Sequence, residues 1–112
     1  MHRSNQRKKS PIVINVIAVI TTQPGKRAEV LAAFAEIIPL VHDEKGCIEY
    51  QPVTDMEGAS TSQALLGADT YMVIEKWDSM EDLRAHAASD HIAAFQQKVG
   101  HLVASRKIHI LD

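Results

Sequence analysis

Apolar residues occupy both alternating sets between positions 12 and 21. Ile14, Val16, Ala18 and Ile20 fall on one side, and Val13, Ile17 and Val19 surround Asn15 on the other. The alternation predicts a strand, and apolar side chains on both faces predict that both faces are covered. Helices of the same chain can cover one face, so the second calls for a partner chain or a ligand. After the turn signal Pro24-Gly25 the period changes: Leu31, Phe34, Ile38 and Val41 recur at helical spacing. A helix is expected from about Lys26 to Glu44, with Pro39 kinking it or ending its first part. Gly46 is placed for a left-handed cap.

Cys47 to Val53 reads as a second strand, with Ile48 and Tyr50 on one face. Residues 54 to 69 carry the Gly, Ser, Thr and Asp chemistry of a loop. Tyr71 to Trp77 is a third strand that sets Tyr71, Val73, Glu75 and Trp77 on one face. Ser79, with Asp82 three residues later, resembles a capping box and opens a second helix to about Ala88. Ser89-Asp90 opens a third, striped by Ile92, Phe95, Val99 and Leu102, and Arg106 to Leu111 closes the chain as a strand with Ile108 and Ile110 facing one way. The order β-α-β-β-α-α-β predicts an α+β, ferredoxin-like domain: one antiparallel four-stranded sheet with its helices on one face.

At 112 residues the chain has room for one core. That domain is expected over residues 12 to 112, behind a basic, disordered tail at 1 to 11. Four of the twelve Lys and Arg residues (Arg3, Arg7, Lys8 and Lys9) lie in that tail, so the fourteen acidic residues of the body face only eight basic ones. An acidic body argues against a nucleic-acid surface. The apolar run at 12 to 20 is too short to span a membrane, which takes roughly 20 residues. It is also β-branched, contains Asn15 and precedes no small-x-small cleavage site, so it does not read as a secretory signal. The single cysteine, Cys47, excludes an internal disulfide and fits a reducing, cytoplasmic setting.

Motifs for the common chemistries are missing: the sequence has no Gly-rich phosphate loop, nucleophile elbow, CxxC pair or HExxH. No cofactor is expected. Nor is a metal, because His86 and His91 are five residues apart, roughly 140° around a continuous helix, with a break expected between them. Glu75 shares its strand face with Tyr71, Val73 and Trp77, where burial would raise its pKa and suit it to orient or exchange a proton. A carboxylate at the rim of the sheet is the plainer alternative. Trp77 serves either as a core plug or as a flat surface for a planar substrate. Asn15, among apolar neighbours, needs a hydrogen-bond partner, from the protein, a water or a ligand. His86 follows Leu83 by three residues, at the edge of the core-facing stripe, where it can accept a proton or tie the helix to the sheet, for instance through Glu75.

The succession Pro24-Gly25-Lys26, Glu44-Lys45-Gly46-Cys47-Ile48-Glu49-Tyr50, Glu75-Lys76-Trp77-Asp78-Ser79, Ala85-His86 and Ser89-Asp90-His91 resembles the antibiotic biosynthesis monooxygenase family. The resemblance implies a homodimer, a dimeric α+β barrel in which two sheets face one another, with a pocket between sheet and helices in each chain. It implies a cofactor-independent monooxygenase that deprotonates a quinol or polycyclic, polyketide-like phenol and passes electrons directly to molecular oxygen. His86 is then acid or base and Glu75 orients it, while Trp77, Asn15, Tyr71, Phe34, Phe95 and His91 are candidates for contact with substrate. Haem-cleaving relatives carry Asn, Trp and His where this chain has Ala18, His86 and Gln96, which opposes that chemistry. A branch that isomerises a phosphorylated dicarbonyl signal molecule carries Glu and His at the places of Glu75, His86 and His91, and basic residues in the pocket would favour it. A non-catalytic, ligand-binding dimer is the remaining alternative. Closure of the 54 to 69 loop over the pocket would favour an enzyme, and a loop plugging the pocket a structural role.

Overall fold

The computed structural model describes residues 12 to 112, so the basic segment expected as a tail lies outside the described residues. The doubly apolar strand, β1 (Ile14–Thr22), is central. It pairs antiparallel with β3 (Thr70–Trp77) on one side and with β4 (Val103–Leu111) on the other. The strand β2 (Cys47–Val53) pairs antiparallel with β3, giving the order β2-β3-β1-β4. That order is the ferredoxin-like one. Three helices join the strands: α1 (Arg27–His42), α2 (Met80–Ala87) and α3 (Asp90–Val99), the last followed by a 3-10 turn at Gly100–Leu102.

Burial alternates along β1, with Val16, Ala18, Ile20 and Thr22 buried and Asn15, Ile17, Val19 and Thr21 only partly so. The buried set meets the helices. The other set, with Met72, Ile74 and Lys76 of β3, faces away from them. Phe34 of α1 centres the core, stacked 5.4 Å from Tyr50 and set edge-on 5.6 Å from Phe95. Trp77 is fully enclosed.

Helix α1 does not end at Pro39 but runs on to His42, since the proline lies in the last turn and the carbonyl it deprives of a partner belongs to exposed Ala35. One local expectation changes. Ile48 does not share the buried face of Tyr50. A bulge between Cys47 and Glu49 shifts the register there and leaves Ile48 half exposed.

Gly46 ends the α1–β2 turn at φ +81°. A Cβ on it would stand 2.1 Å from Oδ2 of Asp82, in the first turn of α2. Its carbonyl accepts the N–H of Asp78 at 2.9 Å, and Ser79 Oγ caps α2 by accepting the Asp82 N–H at 3.1 Å. This close approach seats α2, and with it His86, against the end of α1.

The 54 to 69 segment contains neither helix nor strand yet is tied down. Asp55 accepts the N–H groups of Leu66 and Gly67 at 2.8 and 2.9 Å, and these bonds lower its pKa. Arg27 donates to the carbonyls of Gly67 and Thr70, both at 3.1 Å.

Candidate active site

A cavity of about 350 Å³ lies between the helix-facing side of the sheet and helices α2 and α3. Its floor is Val16, Ala18 and Ile20 of β1 with Tyr71, Val73 and Glu75 of β3. Phe34, Leu83, Ile92 and Phe95 wall it from the helices, and Ile108 and Ile110 of β4 extend it towards the sheet edge, where both are half exposed. The polar groups in this wall are few: Glu75, Arg84, His86, Gln96 and Arg106, besides the tyrosine hydroxyls. The volume and the apolar lining with convergent polar groups suit a small aromatic molecule.

His86 is buried, its ring centroid 4.7 Å from that of Trp77 and 5.2 Å from that of Tyr50. Its Nδ1 lies 3.0 Å from Oε2 and 3.2 Å from Oε1 of Glu44, the residue two beyond the end of α1. A carboxylate only accepts, so Nδ1 carries a proton, and in the neutral ring Nε2 is then the nitrogen with the lone pair. Glu44 Oε2 also takes His91 Nε2 at 2.6 Å. The five-residue spacing did not keep the two histidines apart, because the break between α2 and α3 at Ala88-Ser89 turns both onto Glu44.

Glu75 lines the cavity, but the hydrogen-bond partner of His86 is Glu44 and not Glu75, the partner expected from sequence; Oε1 of Glu75 instead accepts the Trp77 indole N–H at 3.0 Å. Burial raises the Glu75 pKa, Glu44 adds to the rise, and the Trp77 bond and His86 oppose it. Burial likewise pushes Tyr71 up to about 12, against the pull of Arg106, and Tyr50 higher still. Both hydroxyls therefore stay protonated and can donate. Cys47 is pushed up to about 11 by burial and by Glu44 and Glu75, which makes it a poor nucleophile.

Tyr71, Phe34 and Phe95 lie in the cavity wall. Trp77 does not, being completely buried beneath His86 and Glu75, where it supports their side chains. Asn15 points to the opposite face, since it alternates with Val16 and pairs with Lys76. His91 reaches Glu44 and is not in the cavity wall. The 54 to 69 loop neither closes nor plugs the cavity, which none of its residues lines; Asp55, Glu57, Leu65, Gly67 and Ala68 border a separate depression beside Arg27. Sequence reasoning missed Glu44, Tyr50, Arg84 and Arg106. Glu44 and Tyr50 stood in the motif that carried the resemblance, whereas nothing local marked the arginines.

Residues 13–98 match the sequence model of a family described as antibiotic biosynthesis monooxygenase. The protein called "Probable quinol monooxygenase YgiN" of Escherichia coli K12 is 37% identical over 102 residues, spanning 89% of this chain and 97% of that one. Among solved structures, a conserved protein of Methanosarcina mazei Go1 superposes with a TM-score of 0.76 at 22% identity, covering 94% of this chain and 96% of the other. PA3566 of Pseudomonas aeruginosa gives 0.74 at 22% identity, over 88% and 91%. At such identities these two speak for the fold alone.

Proposed function

The chain belongs to the antibiotic biosynthesis monooxygenase family and is a monooxygenase, and we propose that it oxidises a quinol or related polycyclic phenol with molecular oxygen, His86 acting as the base. The Glu44–His86 pair carries this reading. Glu44 fixes the tautomer at Nδ1, leaving Nε2 as the lone pair available to a phenol in the cavity. Glu44 also stabilises the imidazolium formed when that proton is taken. Tyr50 and Tyr71 supply hydroxyl donors for the phenolate oxygen in a wall that is otherwise largely apolar, where such bonds are strongest. The electron-rich anion then reduces oxygen directly. In a full monooxygenation one oxygen atom enters the ring carbon, the other leaves as water with two substrate hydrogens, and the substrate supplies all four electrons.

The reading includes a cytoplasmic homodimer. Its support is the sheet face of Ile17, Val19, Met72 and Ile74, apolar and turned away from the helices. No helix among the described residues is long and apolar enough to cross a membrane.

The test is oxygen uptake with a panel of quinols and no added cofactor, comparing the natural chain with His86→Ala. Uptake above the spontaneous rate, lost in the variant, is expected. No uptake with any quinol defeats the oxygenase assignment, and equal uptake by the variant removes His86 as the base.

One observation favours a second substrate. Arg84 and Arg106 both reach the cavity wall, and guanidinium groups there suit a phosphate. Isomerisation of a small phosphorylated dicarbonyl, followed by NMR under nitrogen, distinguishes this reaction because it consumes no oxygen.

A further inference from the structure

We propose that Glu44, His86 and His91 form a binding site for a divalent transition-metal ion of the zinc class, and that its occupancy switches off His86 as a base. One carboxylate oxygen and two imidazole nitrogens converge here from the end of α1, from α2 and from α3, all within 4.8 Å of one another. Two imidazoles and a carboxylate are a donor set that zinc and cobalt accept, with one position left for water. Donor atoms held tetrahedrally at about 2.0–2.1 Å from one ion stand roughly 3.3 Å apart. The His86–Glu44 and His91–Glu44 separations of 3.0 and 2.6 Å open slightly to reach that spacing, and the two imidazole nitrogens, within 4.8 Å of each other, settle to the same one.

An approach exists that avoids the substrate cavity. Glu44 also borders a shallow surface groove with Lys45, Glu81, Asp82, Ala85 and Ser89, none of which lines the substrate cavity. The carboxylates of Glu81 and Asp82 draw a cation there, against the single charge of Lys45. Exposure of the side chains rises from 8% at His86 to 14% at Glu44 and 22% at His91, so the trio opens outward on the His91 side.

The switch follows from proton bookkeeping. Without metal, His86 Nδ1–H and His91 Nε2–H both point at Glu44. The ion takes the lone pairs at those same nitrogens, so through solvent the protons pass to Nε2 of His86 and Nδ1 of His91. Both rings stay neutral and no proton is lost. His86 then presents an N–H to the cavity in place of a lone pair and cannot accept a phenolic proton. This last step rests on the quinol reading; the binding site does not.

The test adds cobalt(II) to the full-length chain in a non-chelating buffer and follows ligand-field absorption, then displaces cobalt with zinc. Saturation at one ion per chain is expected, with affinity falling by more than about tenfold in Glu44→Gln and in His91→Ala and unchanged in His101→Gln. Thermal unfolding of each variant separates lost ligands from lost fold. No saturable one-to-one binding, or equal affinity in folded Glu44→Gln and His91→Ala, overturns the site. Zinc should abolish quinol turnover over the range in which it displaces cobalt; full turnover by the zinc-loaded chain overturns the switch. Absence of turnover without metal instead counts against the quinol reading and removes the switch with it, while the cobalt titration still decides the site.

Discussion

The indole N–H of Trp77 donates to Glu75 two residues earlier on β3, and both side chains are buried on the face that meets the helices. The bond satisfies two groups that would otherwise be costly to enclose. Trp77→Phe keeps an aromatic ring and removes the donor, leaving a buried carboxyl oxygen short of a partner. A loss of about 1–3 kcal/mol of stability is expected, read as a lower urea midpoint with little change in slope.

Glu75 also predicts a pH dependence. Its folded pKa lies above the ordinary carboxylate range because burial disfavours the charge. The folded state therefore holds this proton to higher pH than the unfolded state does. The contribution of this carboxyl to stability is greatest below its unfolded pKa and declines as pH rises through the raised one, opposite in sign to that of Asp55. Urea unfolding of the natural chain at a series of pH values should show that decline, and Glu75→Gln should flatten it. An identical profile in the variant would show that another group is responsible. Cys47, titrating only near 11, acts outside this window.

Gly46→Ala is expected to cost at least about 2 kcal/mol, combining a left-handed backbone with overlap of the Asp82 side chain down to its Cβ. Because Asp82 opens α2, the variant should also lower kcat by displacing His86. Asp82→Ala tests the cause: placed in the Gly46→Ala background it relieves the overlap only at the carboxylate, so rescue should be partial.

Glu44→Gln keeps the length of the side chain but no longer commits Nδ1 of His86 to donating, since an amide can donate as well as accept. A fall in kcat on the order of 100-fold is expected, with KM little changed, because the cavity wall is intact. Loss of KM alone would mean that Glu44 acts on substrate binding.

Val19→Lys places a charge on the sheet face away from the helices, opposite Met72 in the β1–β3 register. The position is only partly buried within the chain, so the fold should persist while the mass in solution falls from that of the proposed dimer to that of a monomer. An unchanged mass would exclude this face as the interface.

The fold was legible because its signals are local: the alternation from Ile14 to Ile20, the cap at Ser79 and the glycine at 46 each act within a few residues. The site was legible only in part. Period two put Glu75 and Tyr71 on the correct face, and helical spacing brought His86 to the core edge. The partner of His86 depends on where the end of α1 meets α2, a contact 42 residues apart in sequence that no periodicity encodes. Asn15 illustrates the opposite error: its polar character suggested a pocket, although alternation had already set it on the face opposite Val16. Arg84 and Arg106 escaped notice because surface arginines are ordinary until a cavity opens beside them.

The Asp55-anchored segment has one further consequence. It crosses the end of the sheet where Thr21 meets Thr70, its own ends held by side chains that take no part in the cavity. Foreign sequence grafted between Gly58 and Ser62 would thus leave the clamp and the chemistry untouched. That stretch is a natural site for a reporter, an affinity handle or a second binding module on a working enzyme.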